Sequence, residues 1–129
     1  MKNTALRVLT AFVLLLGVAG CSDTKSLPGK FQLERWEDNK SFYLLGPSIL
    51  PDHAQGGGAI GGLLIRLAWN EDIIAAERFA TFRGDPDGWM IIDVKSGSIS
   101  GPVSTAQFDA IRGSYHLEVK TATEAWNAL

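Results

Sequence analysis

Residues 63–80 read LLIRLAWNEDIIAAERFA, and the fold of the chain turns on how they are read. Leu63 to Trp69 has the length and apolar content of a strand. Asn70-Glu71-Asp72 then has two readings. It is either a tight turn between antiparallel strands or an N-cap with acidic residues in a first helical turn. Ile73, Ala76 and Ala80 fit one face of a helix, and alanine favours helix. Ile73-Ile74 and Phe79 to Phe82 fit a strand. The strand reading is preferred because the next apolar run, Trp89 to Val94 (WMIIDV), is strand-like throughout. With the loop Arg83 to Gly88 and the turn Lys95-Ser96-Gly97, the region becomes a three-stranded antiparallel meander. Ser98-Ile99-Ser100 adds a fourth short strand, which Gly101-Pro102 is expected to end.

On the N-terminal side, Phe31 to Trp36 alternates. Phe31, Leu33 and Arg35 point one way; Gln32, Glu34 and Trp36 point the other. That is the pattern of a half-buried strand. The polar turn Glu37 to Lys40 and the apolar run Ser41 to Leu45 complete a hairpin. Gly46 to Gly62 reads as loop, with Pro47, Pro51 and several glycines.

On the C-terminal side, Ser104-Thr105-Ala106-Gln107 has the form of a capping box. Phe108 and Ile111 share a helix face, and Gly113 is a natural stop. Thr121-Ala122-Thr123-Glu124 is a second box, followed by a helical stripe at Ala122, Ala125, Trp126 and Leu129. The expected fold class is α+β: an antiparallel β-sheet meander with two short C-terminal helices. His116 is expected in a partly buried linker between those helices.

The start of the chain is of another kind. Lys2 and Arg7 precede an apolar run, Val8 to Val18, that ends in the small residues Ala19 and Gly20. This is the layout of a signal peptide, and the run is shorter than the roughly 20 residues of a membrane span. The only cysteine, Cys21, follows directly, so no disulfide forms within one chain. Val18-Ala19-Gly20-Cys21 resembles the lipobox of bacterial lipoproteins. The resemblance implies cleavage before Cys21, thioether lipidation of its sulfur and acylation, typically by palmitate, of its new N-terminus. One acyl chain anchors a protein only marginally, so several are needed. Three parts are expected: a lipoprotein signal peptide at 1–20, a flexible tether at 21–30 (SDTKSLPGK after Cys21) and a single domain at 31–129. In a two-membrane bacterium, Ser22 beside the cysteine resembles the outer-membrane sorting pattern, with the domain on the periplasmic face, while Asp23 at the next position leaves inner against outer membrane open.

Cleavage removes two basic residues and leaves 109 residues with a formal charge of −4. A mildly acidic, unclustered chain of this size is one small domain and not a nucleic-acid binder. The order from Leu63 to Phe108, with its GW-apolar-apolar-apolar-D strand and G-P-[ST] step into a helix, resembles a domain of small bacterial lipoproteins of unknown function. That resemblance implies the strand reading of 73–80 and a β-rich mixed fold. It brings no catalytic residues and no cofactor.

The chemistry-bearing candidates are few. Gly56 to Gly61 spells G-x-G-x-x-G, but Pro51 precedes it and a strand follows it. A dinucleotide loop needs a strand before and a helix after. Gly57 and Gly58 are therefore read as a loop that lets a partner approach closely. Asp52-His53 is the one pair suited to acid–base work. It supports the alternative of a small envelope hydrolase, although no G-x-S-x-G elbow accompanies it. Asp85-Pro86-Asp87-Gly88 has the look of a calcium loop, yet the closing position, Ser96, is not glutamate. Two distant histidines make no zinc site, so no metal is expected. Each of the four tryptophans falls where it could face the core; one left outside would be a binding anchor, and Trp36, opposite Phe31 and Leu33 on its strand, is the best candidate. Trp36, His53, Gly57 and Gly58 are the candidate partner-binding residues. The expected role is a lipid-anchored envelope protein that binds another envelope component. The membrane is met through the lipid and the partner is a protein, as for an inhibitor or immunity-type protein.

Overall fold

The 63–80 stretch is a β-hairpin. In the computed structural model, which describes residues 22–47, 59–79 and 86–129, strands β4 (Leu63–Trp69) and β5 (Ile73–Phe79) pair antiparallel. Asn70 makes the turn: its side-chain oxygen accepts from the amides of Asp72 and Ile73. The same bonds would suit a helix N-cap; here the Asn70 amide also donates to the Ile73 carbonyl, which closes the turn between the paired strands. β6 (Gly88–Asp93) and β7 (Ile99–Val103) follow, and β8 (Lys120–Thr121) pairs on the far side of β4. The sheet order is β7-β6-β5-β4-β8. A second, three-stranded sheet holds β1 (Asp23–Ser26), β2 (Gln32–Arg35) and β3 (Phe42–Leu45) in that order, all antiparallel. Two helices complete the described chain, α1 (Thr105–Tyr115) and α2 (Ala122–Ala128). The architecture is α+β and mostly strand.

The five-stranded sheet lies between two apolar layers. On one face, Leu67, Ile74, Ala76, Met90 and Ile92 meet Leu33, Phe42 and Leu44 of the small sheet and Ala125 and Trp126 of α2. On the other face, Ala68, Ile73, Ala75 and Trp89 meet Phe108 of α1 and Leu117. Strand alternation sends successive side chains to opposite faces. One irregularity corrects the count. Leu64 opposes Arg78 and Arg66 opposes Glu77, so Ile65 is an extra residue, a β-bulge. It turns Leu64 and Leu67 to the same face, which an unbroken strand would separate, and leaves Ile65 exposed.

Several expectations need correction. Residues 23–26, read as part of a flexible tether, form β1; Lys25 opposes Leu33, and Leu27 beyond it is buried. The polar composition suits an edge strand with one face toward solvent. Gly101-Pro102, read as the end of a strand, lies inside β7. The register shifts there so that β7 carries an extra residue between the partners of Trp89 and Ile91. β7 is the sheet's edge, where a proline's missing N–H is tolerated. Gly113, read as a helix stop, is within α1. The helix ends at His116, which is exposed and left-handed at φ 53°, rather than partly buried. The Ser104–Gln107 capping box is complete. At Thr121 the hydroxyl accepts from the Glu124 amide and starts α2. Ala122, Ala125 and Trp126 are buried as expected, while Leu129, the last of that stripe, is exposed. β8 was not anticipated.

Candidate functional site

The outward face of the small sheet carries the best-formed exposed group. β2 leaves its sheet at Arg35, and Trp36 follows with half its surface exposed, the largest exposed fraction among the big apolar side chains described. The same alternation that buries Leu33 places Glu34 and Trp36 outside. Glu34 stands opposite Tyr43 of β3, and the rings of Trp36 and Tyr43 lie 5.1 Å apart, tilted by 44°. The Glu34 carboxylate accepts twice: from the Trp36 indole N–H at 2.8 Å and from the Ser22 hydroxyl at 2.8 Å. One carboxylate thus joins the indole to the residue that follows Cys21.

The hairpin tip below this group is rigid. Asp38 accepts from the amides of Lys40 and Ser41 and from the Ser41 hydroxyl. These bonds, the hydroxyl's first, hold the Asp38 carboxyl below its ordinary range. Burial, then the charges of Asp38 and Glu34, push the Tyr43 phenol up, so it stays a neutral donor at neutral pH.

The inward face of the same strands is also specialised. Lys25 Nζ lies 4.7 Å and the Arg35 guanidinium 4.6 Å from the centre of the Trp126 ring, and Lys25 donates to the Trp126 carbonyl at 2.8 Å. Both cations lie within reach of the ring's negative face. This joins the first strand to the last helix.

Elsewhere, Arg66 and Glu77 form a bidentate pair at 2.8 Å on the α1 face, with Arg66 5.3 Å from the Trp89 ring. Buried Arg78 donates to the carbonyls of Ile60 and Pro86. An open groove of about 400 Å³ passes exposed Ile65 and Phe79 and is bordered by Ser41 and Thr123.

The structure places only part of the candidate set. Trp36 is exposed, as read. Cys21, Asp52, His53, Gly57 and Gly58 lie outside the described residues. His116 caps a helix. Among the described residues no three His, Cys, Asp or Glu side chains gather as a metal would require. Glu34 and Tyr43 were missed. The hairpin register alone would have found them, since closing the turn on residues 37–40 sets Glu34 against Tyr43. Comparison with known protein families, with curated protein sequences and with solved structures finds no match for this chain.

Proposed function

We propose that the chain is a lipid-anchored cell-envelope protein that works as a binding or structural module, with Cys21 as its acylated residue. The observation that supports this reading is the position of the first described strand. Among the described residues, the first strand, β1, opens at Asp23, so cleavage before Cys21 leaves all eight described strands and both described helices in the mature chain. The lipid then holds the domain close to other envelope components and raises its effective concentration there. Action on an envelope protein, as by an inhibitor or immunity-type protein, is one form of this reading. Ser22 after the cysteine favours the periplasmic face of the outer membrane in a two-membrane bacterium.

The test is chemical. Cells fed labelled palmitate are expected to label the protein, and its intact mass is expected to match a chain starting at Cys21 plus its lipid. Cys21→Ala is expected to abolish the label and release the protein from membranes. A Cys21→Ala protein that stays membrane-bound and complements a deletion as well as wild type would overturn the reading.

A further inference from the structure

We infer that the Trp36–Tyr43 face is a bilayer-docking surface, and that the occupant of this face is the headgroup layer of the leaflet that holds the lipid on Cys21. The inference rests on the lipid-anchor reading above and names what the exposed face of the small sheet meets.

The leash decides it. Between Cys21 and strand β1 there is one residue, Ser22. Its hydroxyl is bonded to Glu34, and Glu34 is bonded to the Trp36 indole. Bond lengths and those two contacts keep the indole N–H within about 15 Å of the Cys21 Cα. A diacylglyceryl group on Cys21 puts that residue at the boundary between acyl chains and headgroups. Strand pairing puts the same end of the fold beside it: Asp23 opposes Arg35, and the β2–β3 turn lies just beyond. The domain has no slack with which to float away.

What lies at that end suits the interface. An exposed tryptophan and a partly buried tyrosine stand together, each with an apolar body and a polar tip. Trp and Tyr concentrate at membrane–water boundaries for this reason. The charge at the tip selects the leaflet. Glu37, Asp38 and Lys40 are all exposed and sum to −1, while exposed Asp23 nearby is balanced by Arg35 at 3.3 Å. A surface rich in anionic lipid attracts basic segments and repels this one. The chemistry therefore fits a zwitterionic headgroup layer.

The experiment uses the lipoprotein purified from membranes, its lipid verified by intact mass, and reconstituted into phosphatidylcholine vesicles whose acyl chains carry bromine near the headgroup end. Wild type is expected to lose part of its tryptophan emission relative to unbrominated vesicles, and Trp36→Phe is expected to show no such loss. Replacing half the phosphatidylcholine with phosphatidylglycerol is expected to shrink the loss. Trp36→Phe alters an exposed side chain, and unchanged far-UV circular dichroism will verify its fold. Equal emission loss in both proteins, or none in wild type, overturns the docking inference while the lipid anchor stands. So does shielding of Trp36 from aqueous acrylamide in native membranes but not in vesicles, which assigns the face to a protein. An intact mass without lipid overturns the anchor and the docking together.

Discussion

Gly101 passes the backbone of Trp89 so closely that a Cβ on it would stand 2.7 Å from the Trp89 carbonyl oxygen. Its φ of 118° lies where side chains are rarely found. The clash is with backbone, so no rotamer relieves it. Gly101→Ala is expected to destabilise the fold by about 2 kcal/mol or more, from strain and a displaced edge strand. Urea unfolding checks this. Gly97→Ala makes a useful comparison, since Gly97 also has positive φ, at 73°, but no atom within 4 Å of the added carbon.

Trp89 has a second close neighbour, Phe108, whose ring is stacked on it at 3.8 Å and 4°. Phe108 is the only buried residue of α1. Phe108→Ala is expected to cost about 3–5 kcal/mol, in line with other buried phenylalanines. Near-UV circular dichroism is expected to lose the stacked-ring signal. Tyr115→Ala, on the exposed side of α1, is expected to change stability by under about 0.5 kcal/mol.

The Arg66–Glu77 pair is bidentate but open to water on the arginine side, where nearly half the side chain is exposed. Water and salt screen it. A double-mutant cycle with Arg66→Met and Glu77→Gln is expected to give a coupling of about 0.5–1 kcal/mol. The coupling is expected to shrink between low and high salt. A coupling near zero at low salt refutes it.

Strand β1 separates a folded segment from a tether experimentally. Its tie to α2 runs through Lys25, by a hydrogen bond to Trp126 and a contact with its ring. Amide hydrogen exchange is expected to show protection across residues 24–26. Lys25→Met is expected to weaken that protection about fivefold, for a loss of about 1 kcal/mol, with the five-stranded sheet unaffected.

Two aspartates set the acid response of the turns. Hydrogen bonds hold the carboxyls of both Asp38 and Asp93 below the ordinary 3.8, chiefly from the Ser41 hydroxyl for Asp38 and the Ser96 amide for Asp93. A folded value below the unfolded one means the contribution is present above pH 3.8 and is lost as pH falls through the lower folded values. Stability is therefore expected to fall with acidification below about pH 4. Asp38→Asn with Asp93→Asn is expected to flatten that part of the pH–stability curve. An unchanged slope in the double variant refutes the assignment.

What was legible in the sequence was local. The alternation at Phe31 to Trp36 reports burial of Leu33 and exposure of Trp36, because a strand's two faces need nothing else to be told apart. Residues 73–79 read correctly as strand because the neighbouring WMIIDV supplied the context that alanines alone would have reversed. What was hidden depends on partners far away in the chain. DTKS is polar enough for a tether, and only pairing with β2 makes it a strand. No residue type marks Ile65 as extra; the bulge is visible only against Arg78 and Glu77. β8 is two residues long and exists because β4 has a free edge. For the candidate site, Trp36 was readable and its bond to Glu34 was not. The link onward to Ser22 required β1 to be known first.

The meeting of Lys25 with Trp126 spans 101 positions. A ribosome adds Trp126 long after Lys25, so β1 can pair with β2 early but cannot meet α2 until residue 126 has been made. Contacts of such separation slow folding, because a long loop has to be closed before they form. The small sheet itself pairs within residues 23–45, so what waits for residue 126 is its closure onto α2.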